Sequence, residues 1–122
     1  MANNSGRKHA EKFGRKGEFW ARMFLTFKGY RVLAERFRAR GGELDLIVKR
    51  GQTLVFVEVK ARRDKQALSE AFEAVRQDRI ISAARYWLAK NPKYQDRTTR
   101  FDVIGLAPLS WPVHIVDAFQ TN

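Results

Sequence analysis

Cysteine is absent from this chain of 122 residues, and proline occurs only three times. Without cysteine, disulfide bonds and cysteine-based zinc sites are excluded. No apolar run approaches the roughly 18 residues that a membrane-spanning helix requires. The opening residues MANNSGRKH are polar and no apolar stretch follows them, so no secretory signal is predicted. These absences predict a cytoplasmic protein that does not enter a membrane.

Acidic residues are also scarce, at 13 against 24 lysines and arginines, which gives a net charge of +11. The imbalance is greatest in residues 1–40, where eleven basic residues and three acids give a net charge of +8. A charge of this sign favours a polyanionic partner, and nucleic acid is the commonest one. Charge alone leaves a merely soluble basic protein as the alternative.

Hydrophobic residues make up 44% of the chain, which is enough for one domain with one core. Their spacing predicts an α/β domain with a mixed sheet, in the order α-β-β-β-α-β-β. The predicted helices run from about His9 to Lys28 and from Ser69 to about Lys90. The predicted strands are Tyr30–Phe37, Glu43–Lys49, Thr53–Ala61, Thr99–Leu106 and Val113–Phe119. Residues 1–8 are predicted to form a flexible basic tail ahead of a single domain at 9–122.

The two predicted helices each carry apolar residues at helical spacing. The face that we expect the first helix to bury contains Phe13, Gly17, Trp20, Phe24 and Phe27, flanked by Ala10, Ala21 and Leu25. The second helix is predicted to begin at a Ser69 cap and to bury Ile80, Ile81, Ala84, Trp87 and Leu88. Because the aromatic residues fall mainly at such core positions, their pattern does not predict base stacking.

One strand, VFVEVKAR at residues 55–62, interrupts its apolar residues with Glu58 and Lys60, both on one face. The preceding turn, Gly51-Gln52, fits a two-residue type II′ hairpin, which prefers glycine at the first central position. Counting outward from this turn places Asp45 directly opposite Glu58. Carboxylates in such a pair have Cβ atoms roughly 4.5–5.5 Å apart.

The strand before this hairpin alternates between two faces. Alternation places Leu44 and Leu46 on one face, with Glu43 and Asp45 on the other. The same register places Glu43 opposite Lys60.

Two facing carboxylates are destabilising unless a cation lies between them. A hard divalent cation such as Mg²⁺ is usually held by one or two carboxylates, with waters and phosphate oxygens completing its shell. Lys60 could then orient an attacking water or offset charge on a phosphate. The alternative is an exposed face on which Glu43 and Lys60 form an ion pair and the other two acids are ordinary surface residues.

Three further charged residues are candidates for the same site. Glu18 lies at the edge of the apolar stripe of the first helix and could reach a metal, or could pair with Arg22 four residues on. Arg62 stays on the face of Lys60, where it could hold a phosphate or be a solvated strand end. Asp102 interrupts another apolar strand, where a structural pairing with Arg100 is favoured over a role as a site acid.

Five short stretches of the chain carry a recognisable pattern. They are G-E at 17–18, G-Y at 29–30, GELDLI at 42–47, VFVEVKAR at 55–62 and RFDVIG at 100–105. Together they resemble the YraN-like family of small bacterial proteins, which is similar to the restriction-endonuclease-like PD-(D/E)xK nucleases and, in pattern, to archaeal Holliday-junction resolvases. The match spans roughly residues 13–106. Two positions depart from the resolvase pattern, since no proline precedes Asp45 and the additional serine before Asp45 has no counterpart.

The resemblance implies a mixed central sheet flanked by helices, with a metal site on two strands. Asp45 would be the acid of the first strand, and Glu58 and Lys60 the E-x-K of the second. Glu18 falls where resolvase-like members carry a helix acid, and Glu43 matches a glutamate of the family itself. Because resolvase-like proteins act as dimers, analogy also implies a homodimer.

These observations predict a metal-dependent endonuclease that hydrolyses phosphodiester bonds in DNA, including branched or damaged DNA. The expected ligands of Mg²⁺ or Mn²⁺ are Asp45, Glu58, Glu18 and the Val59 carbonyl. Lys60 would position the attacking water. The residues expected to hold the phosphate backbone are Arg15, Arg22, Arg38 and Arg62. One alternative is a module that binds nucleic acid on the same fold without cutting it, and another is a structural subunit that meets an acidic protein.

Overall fold

The computed structural model describes the backbone of residues 4–121 and the side chains of residues 16–121. Within residues 4–121, three α-helices pack on the two faces of a five-stranded sheet, which confirms the predicted α/β fold with a mixed sheet. The helices are α1 (Asn4–Phe27), α2 (Lys65–Glu73) and α3 (Gln77–Lys90), and a short 3₁₀ helix spans Pro92–Tyr94. The strands are β1 (Arg31–Ala39), β2 (Gly42–Arg50), β3 (Thr53–Ala61), β4 (Thr98–Leu106) and β5 (Val113–Phe119). None of the helices within residues 4–121 is both long and apolar enough to cross a membrane.

The five strands lie in the sheet in chain order, from β1 at one edge to β5 at the other. Every neighbouring pair is antiparallel except β3 and β4, which are parallel. Parallel strands need a long crossover, and α2 and α3 supply it. The central position of β3 explains why its residues 54–57 are fully buried.

The sheet separates two hydrophobic cores. On one face, Phe56, Val103 and Ile47 pack against α3, where Ile80, Ala84 and Trp87 are buried as predicted. On the other face, the sheet packs against α1 through Leu46, Val48, Val55, Val57 and Ile104. Alternate residues of β3 therefore serve opposite cores, as the strand period requires.

The predicted second helix is wrong in one respect, because two helices replace the single helix from Ser69. Helix α2 begins after Asp64, whose side chain accepts a hydrogen bond from the Ala67 amide, so Asp64 is the N-cap in place of Ser69. The backbone leaves the helical path after Glu73 and resumes it at Gln77. This break lets α2 cover β3 and β4 while α3 lies mainly over β1 and β2.

The buried face of α1 differs from the prediction at two aromatic residues. Ala21 and Leu25 are fully buried, whereas Trp20 is 61% exposed and Phe27 is 93% exposed. Small residues form the contact because α1 lies very close to the sheet: a Cβ at Gly17 would be 2.9 Å from the Cβ of Ala61. Trp20 and Phe27 are displaced from this contact, whereas Phe24 packs against the core.

Helix α1 is described from Asn4, five residues before the predicted start. Positions 1–3 of the tail that is predicted for residues 1–8 lie outside the described residues. The side chains of Phe13 and Arg15 also lie outside the described part of the chain.

Candidate functional site

The hairpin between β2 and β3 has the predicted register. Arg50 pairs with Thr53, and the pairing continues through Lys49 and Leu54 as far as Leu46 and Val57. Gly51 has φ +60°, while Gln52 has a negative φ, as a type II′ turn requires. This turn fixes which residues of β2 approach Glu58.

The backbone pairing ends just before Asp45, and the Asp45 side chain takes its place. Its Oδ2 accepts a hydrogen bond of 2.7 Å from the backbone amide of Val59. An amide in the middle of a sheet needs an acceptor, and here a carboxylate provides it. The carboxyl group of Asp45 is thereby fixed beside the carboxyl-terminal part of β3.

The alternation of β2 breaks at the same place, which corrects the prediction that Leu44 and Leu46 share a face. Leu44 packs into the core beneath α3, whereas Leu46 packs into the core beneath α1. On the neighbouring strand, Arg36 has φ +50° and lies between the pairs Glu35–Leu46 and Phe37–Leu44. A left-handed arginine costs roughly 1–3 kcal/mol, and such strain is concentrated at functional sites.

Glu58 is half-buried and lies within hydrogen-bonding reach of Asp45. The pKa of the Glu58 carboxyl is raised to about 9, first by burial and then by the hydrogen bond and negative charge of Asp45. The positive charge of Lys60 acts in the opposite direction. The structure thus brings together the two carboxyl groups and the lysine that the sequence singles out.

Glu43 has a different partner from the one that the register suggested. Its Oε2 lies 3.6 Å from Nε of Arg38, its partner across β1 and β2, and both side chains are more than half exposed. The Glu43–Lys60 ion pair of the alternative interpretation does not form. The charge of Glu43 nevertheless contributes to the raised pKa of Glu58.

Glu18 reaches the strained arginine of β1 and not the two carboxyl groups. Nε of Arg36 donates a hydrogen bond of 2.5 Å to Glu18, and this bond is the main reason that the pKa of Arg36 is raised. Arg22, the expected i+4 partner of Glu18, instead binds Glu35 at 2.6 Å. Among side chains 16–121, no three acidic or histidine groups converge as metal ligands. The role of Glu18 as a third ligand stays a prediction.

The predicted phosphate-binding arginines are spread over the surface. Arg38 is 81% exposed at its side chain, and Arg22 is engaged by Glu35. Arg62 is exposed just beyond β3, where its guanidinium donates to the carbonyl of Ala61 at 2.8 Å. Of the predicted phosphate-binding arginines, Arg62 is therefore the closest in sequence to Glu58 and Lys60.

Asp102 has the structural role that the sequence favoured. Arg100 donates two hydrogen bonds to its carboxylate, at 2.9 and 2.8 Å, and the Asp117 amide donates a third at 2.9 Å. Lys28 donates to Nδ1 of His114 at 2.8 Å, so Nε2 of His114 carries the proton donated to Asp102 at 2.7 Å. Asp102 is fully buried and has no free position for a metal.

Burial alone would raise the pKa of Asp102, but the hydrogen bonds from His114, Arg100 and the Asp117 amide together outweigh it. They lower its pKa to about 2. The histidine was not predicted as a partner because it lies twelve residues away, on the next strand. His114 pairs with Ile104, which lies two residues after Asp102 on the same face of β4.

Comparison with known proteins places the chain in one family. The sequence profile of the uncharacterised protein family UPF0102 matches residues 17–106. The chain belongs to UPF0102. A UPF0102 protein of Mesorhizobium japonicum is 45% identical over 119 residues, which cover 95% of this chain and 93% of that protein. A UPF0102 protein of Methylorubrum extorquens is 48% identical over 107 residues, which cover 88% of this chain and 84% of that one.

The UPF0102 match contains the whole of the candidate site. Glu18 lies at its start, Asp45, Glu58 and Lys60 lie in its middle, and Asp102 lies near its end. Arg15 falls outside the match. The strained Arg36, which sequence reasoning missed, lies inside it, and only its position opposite Asp45 could have singled it out.

Proposed function

We propose that this UPF0102 protein is a cytoplasmic nuclease that hydrolyses phosphodiester bonds of DNA with the help of Mg²⁺ or Mn²⁺. The observation that carries the proposal is the convergence of the Asp45 and Glu58 carboxyl groups beside Lys60 in a chain of net charge +11. Two acids and a lysine at the end of a sheet suit the hydrolysis of an anionic ester.

The two carboxyl groups fit a divalent cation. Carboxylate oxygens are the ligands that Mg²⁺ prefers, and the Val59 amide binds only Oδ2 of Asp45. Burial, the hydrogen bond to Asp45 and the negative charge of Asp45 all raise the pKa of Glu58, so a second ionised carboxylate is disfavoured in this place. A cation held by Asp45, Glu58 and the Val59 carbonyl would remove that penalty, and Glu18 could join only by releasing Arg36.

When bound, such a cation supplies Lewis-acid activation of the phosphoryl oxygen and lowers the pKa of a bound water. The protein's own groups do the positioning. The Lys60 amine would hold the attacking water and the scissile phosphate in line, because it lies one pleat beyond Glu58 on the same face. Arg62 would hold a neighbouring phosphate at the end of β3.

The proposal is tested by incubating the protein and Glu58→Gln with linear, flapped and four-way DNA in Mg²⁺ or Mn²⁺. Wild type should release product from at least one substrate, and Glu58→Gln should lose activity by two orders of magnitude or more, about 3 kcal/mol of the barrier. Glu70→Gln, which changes an exposed acid of α2, is the matched control and should cleave like wild type. Equal traces of product from wild type and Glu58→Gln on every substrate would refute the proposal.

The second candidate is a module that binds nucleic acid without cutting it. The observation that favours it is the engagement of Glu18 by Arg36, which leaves two acids at the site instead of three. Calorimetry separates the two candidates. A nuclease should take up Mn²⁺ in wild type and not in Asp45→Asn, whereas a pure binding module should show no uptake that depends on Asp45.

A further inference from the structure

Two grooves flank the loop of residues 107–112 between β4 and β5. The α1 groove, of about 310 Å³, lies between α1 and this loop. The α2 groove, of about 520 Å³, lies between α2 and the same loop. Both volumes fall in or near the range of roughly 300–1,000 Å³ that is typical of ligand sites.

Each groove contains one exposed tryptophan and one lysine. Trp20 and Lys16 line the α1 groove, and Trp111 and Lys65 line the α2 groove. Trp20 is 61% exposed and Trp111 is 88% exposed. The ring of Trp20 meets Phe19 edge-to-face, with centroids 5.4 Å apart, so its orientation is restrained. Tryptophans presented in this way have a free face on which another ring can stack.

Both grooves lie at the end of β3 that carries Glu58 and Lys60. Ala61 and its partner Leu106, which end β3 and β4, line the α1 groove. Lys60 pairs with Gly105, and Gly105 lies against Phe72, which lines the α2 groove. The α2 groove therefore lies on the face of β3 that carries Lys60, and the α1 groove lies on the opposite face at the same end of the strand.

The rim of the grooves is basic. Besides the two lysines, Arg62 and Arg63 follow β3 directly, and both are exposed. The acid nearest to them in the chain, Asp64, is occupied as the N-cap of α2. A ligand with apolar flat groups and a negatively charged backbone matches this combination of apolar floor and basic rim.

We propose that the two grooves bind unpaired nucleotides, with bases stacked on Trp20 and Trp111 and phosphates along the basic rim. The inference deepens the proposed function and rests on nucleic acid as the partner, but it does not require cleavage. The proposed ligand is unpaired because the bases of a duplex stack on one another and are not free to stack on a tryptophan. The substrate of the candidate site would then carry a single-stranded segment next to the scissile bond.

The test measures binding in EDTA, so that it does not depend on metal or cleavage. Two probes of equal length and charge are compared, an oligothymidylate and an oligomer whose nucleotides are all abasic. Wild type should bind the oligothymidylate at least about tenfold more tightly. Trp20→Ala and Trp111→Ala should each lose about tenfold in affinity for the oligothymidylate and leave the abasic affinity unchanged.

Phe27→Ala is the matched control, since Phe27 is an exposed aromatic residue of α1 that lines neither groove. It should bind both probes like wild type, and circular dichroism should show that all three variants keep the fold. Equal affinity of wild type for the two probes would overturn the inference. It is also wrong if Trp20→Ala converts a dimer of the free protein into a monomer in sedimentation, because the α1 groove would then hold a second copy of the chain.

The outcomes separate this inference from the proposed nuclease. Base-dependent binding without any cleavage would support the grooves and refute the nuclease. Cleavage together with equal binding of the two probes would support the nuclease and refute the grooves.

Discussion

Asp45 uses one carboxyl group for two purposes. One oxygen completes the hydrogen bonding of β3 through the Val59 amide, and the group as a whole lies beside Glu58. The first contact is structural and the second is chemical. A single substitution can separate them because asparagine keeps the acceptor oxygen and loses the charge.

We expect Asp45→Asn to fold with nearly unchanged stability and to lose Mn²⁺ binding. Asp45→Ala should also lose Mn²⁺ binding. In addition, its free energy of unfolding should fall by about 1–3 kcal/mol, because the Val59 amide then has no acceptor. Urea denaturation and calorimetry of the two variants measure the two effects. Equal stability of the two variants would mean that the bond to Val59 does not support the sheet.

Asp102 shows a different use of a carboxylate, in which every oxygen is occupied by the protein. Its pKa is lowered from 3.8 to about 2 in the folded state. A lowered pKa means that the ionised carboxylate stabilises the fold above pH 3.8, and that this contribution is lost as the pH falls toward 2. The contribution is on the order of 2 kcal/mol.

The predicted consequence is a difference between wild type and Asp102→Asn that depends on pH. Near neutral pH, the variant should be less stable by about 3 kcal/mol or more, because Arg100 and His114 lose their charged partner. This difference should shrink as the pH falls from about 4 toward 2. Urea unfolding of both proteins across this range is the measurement, and a constant difference would contradict the assigned pKa.

At the scale of elements, the alternation of β2 breaks beside the candidate site. Arg36 is left-handed opposite Asp45, and Gly42 lets the start of β2 lie against α3. A Cβ at Gly42 would overlap the carbonyl oxygen of Arg79 and lie 3.3 Å from the Ala83 amide nitrogen. Backbone on both sides of this contact cannot move aside without shifting a whole element.

Gly42→Ala should therefore lower the free energy of unfolding by more than about 3 kcal/mol. Gly51→Ala is the control, because φ is +60° there but nothing lies within 4 Å of an added Cβ. It should cost only about 1 kcal/mol. The urea midpoints of the two variants test the ranking, and a milder effect at Gly42 would show that β2 is not held against α3.

The bounds of the strands were easier to predict from the sequence than the bounds of the helices. β3 and β5 have the predicted bounds, because turn residues flank apolar runs on both sides. The break between α2 and α3 at residues 74–76 contains neither glycine nor proline, so no local signal marks it. It follows from the need of two helices to cover different strands.

The exposure of Trp20 was missed for a related reason. Helical periodicity identifies an apolar face but does not say which edge of that face is covered. The small residues Gly17 and Ala21 define the contact, since they allow α1 to approach the sheet most closely. The register of the hairpin between β2 and β3, by contrast, was predictable because a two-residue turn fixes it locally.

At the scale of the whole molecule, the net charge of +11 governs encounter with a polyanion. Affinity for nucleic acid should fall steeply with salt, since each neutralised phosphate releases counterions. Arg62→Gln should lower the slope of log affinity against log salt by about one. Arg85→Gln, an exposed change on α3 away from the grooves, should leave the slope unchanged. Equal slopes for the two variants would remove Arg62 from the interface.

The central claim is that Asp45 and Glu58 together hold a divalent cation. The most direct measurement is a crystal structure of the protein grown or soaked in Mn²⁺, with anomalous scattering recorded to locate the metal. We predict one anomalous peak within ligand distance, roughly 2.0–2.2 Å, of an oxygen of each carboxyl group, and no such peak in Asp45→Asn. Full data with no peak between the two groups, or with the same peak in the variant, would contradict the claim.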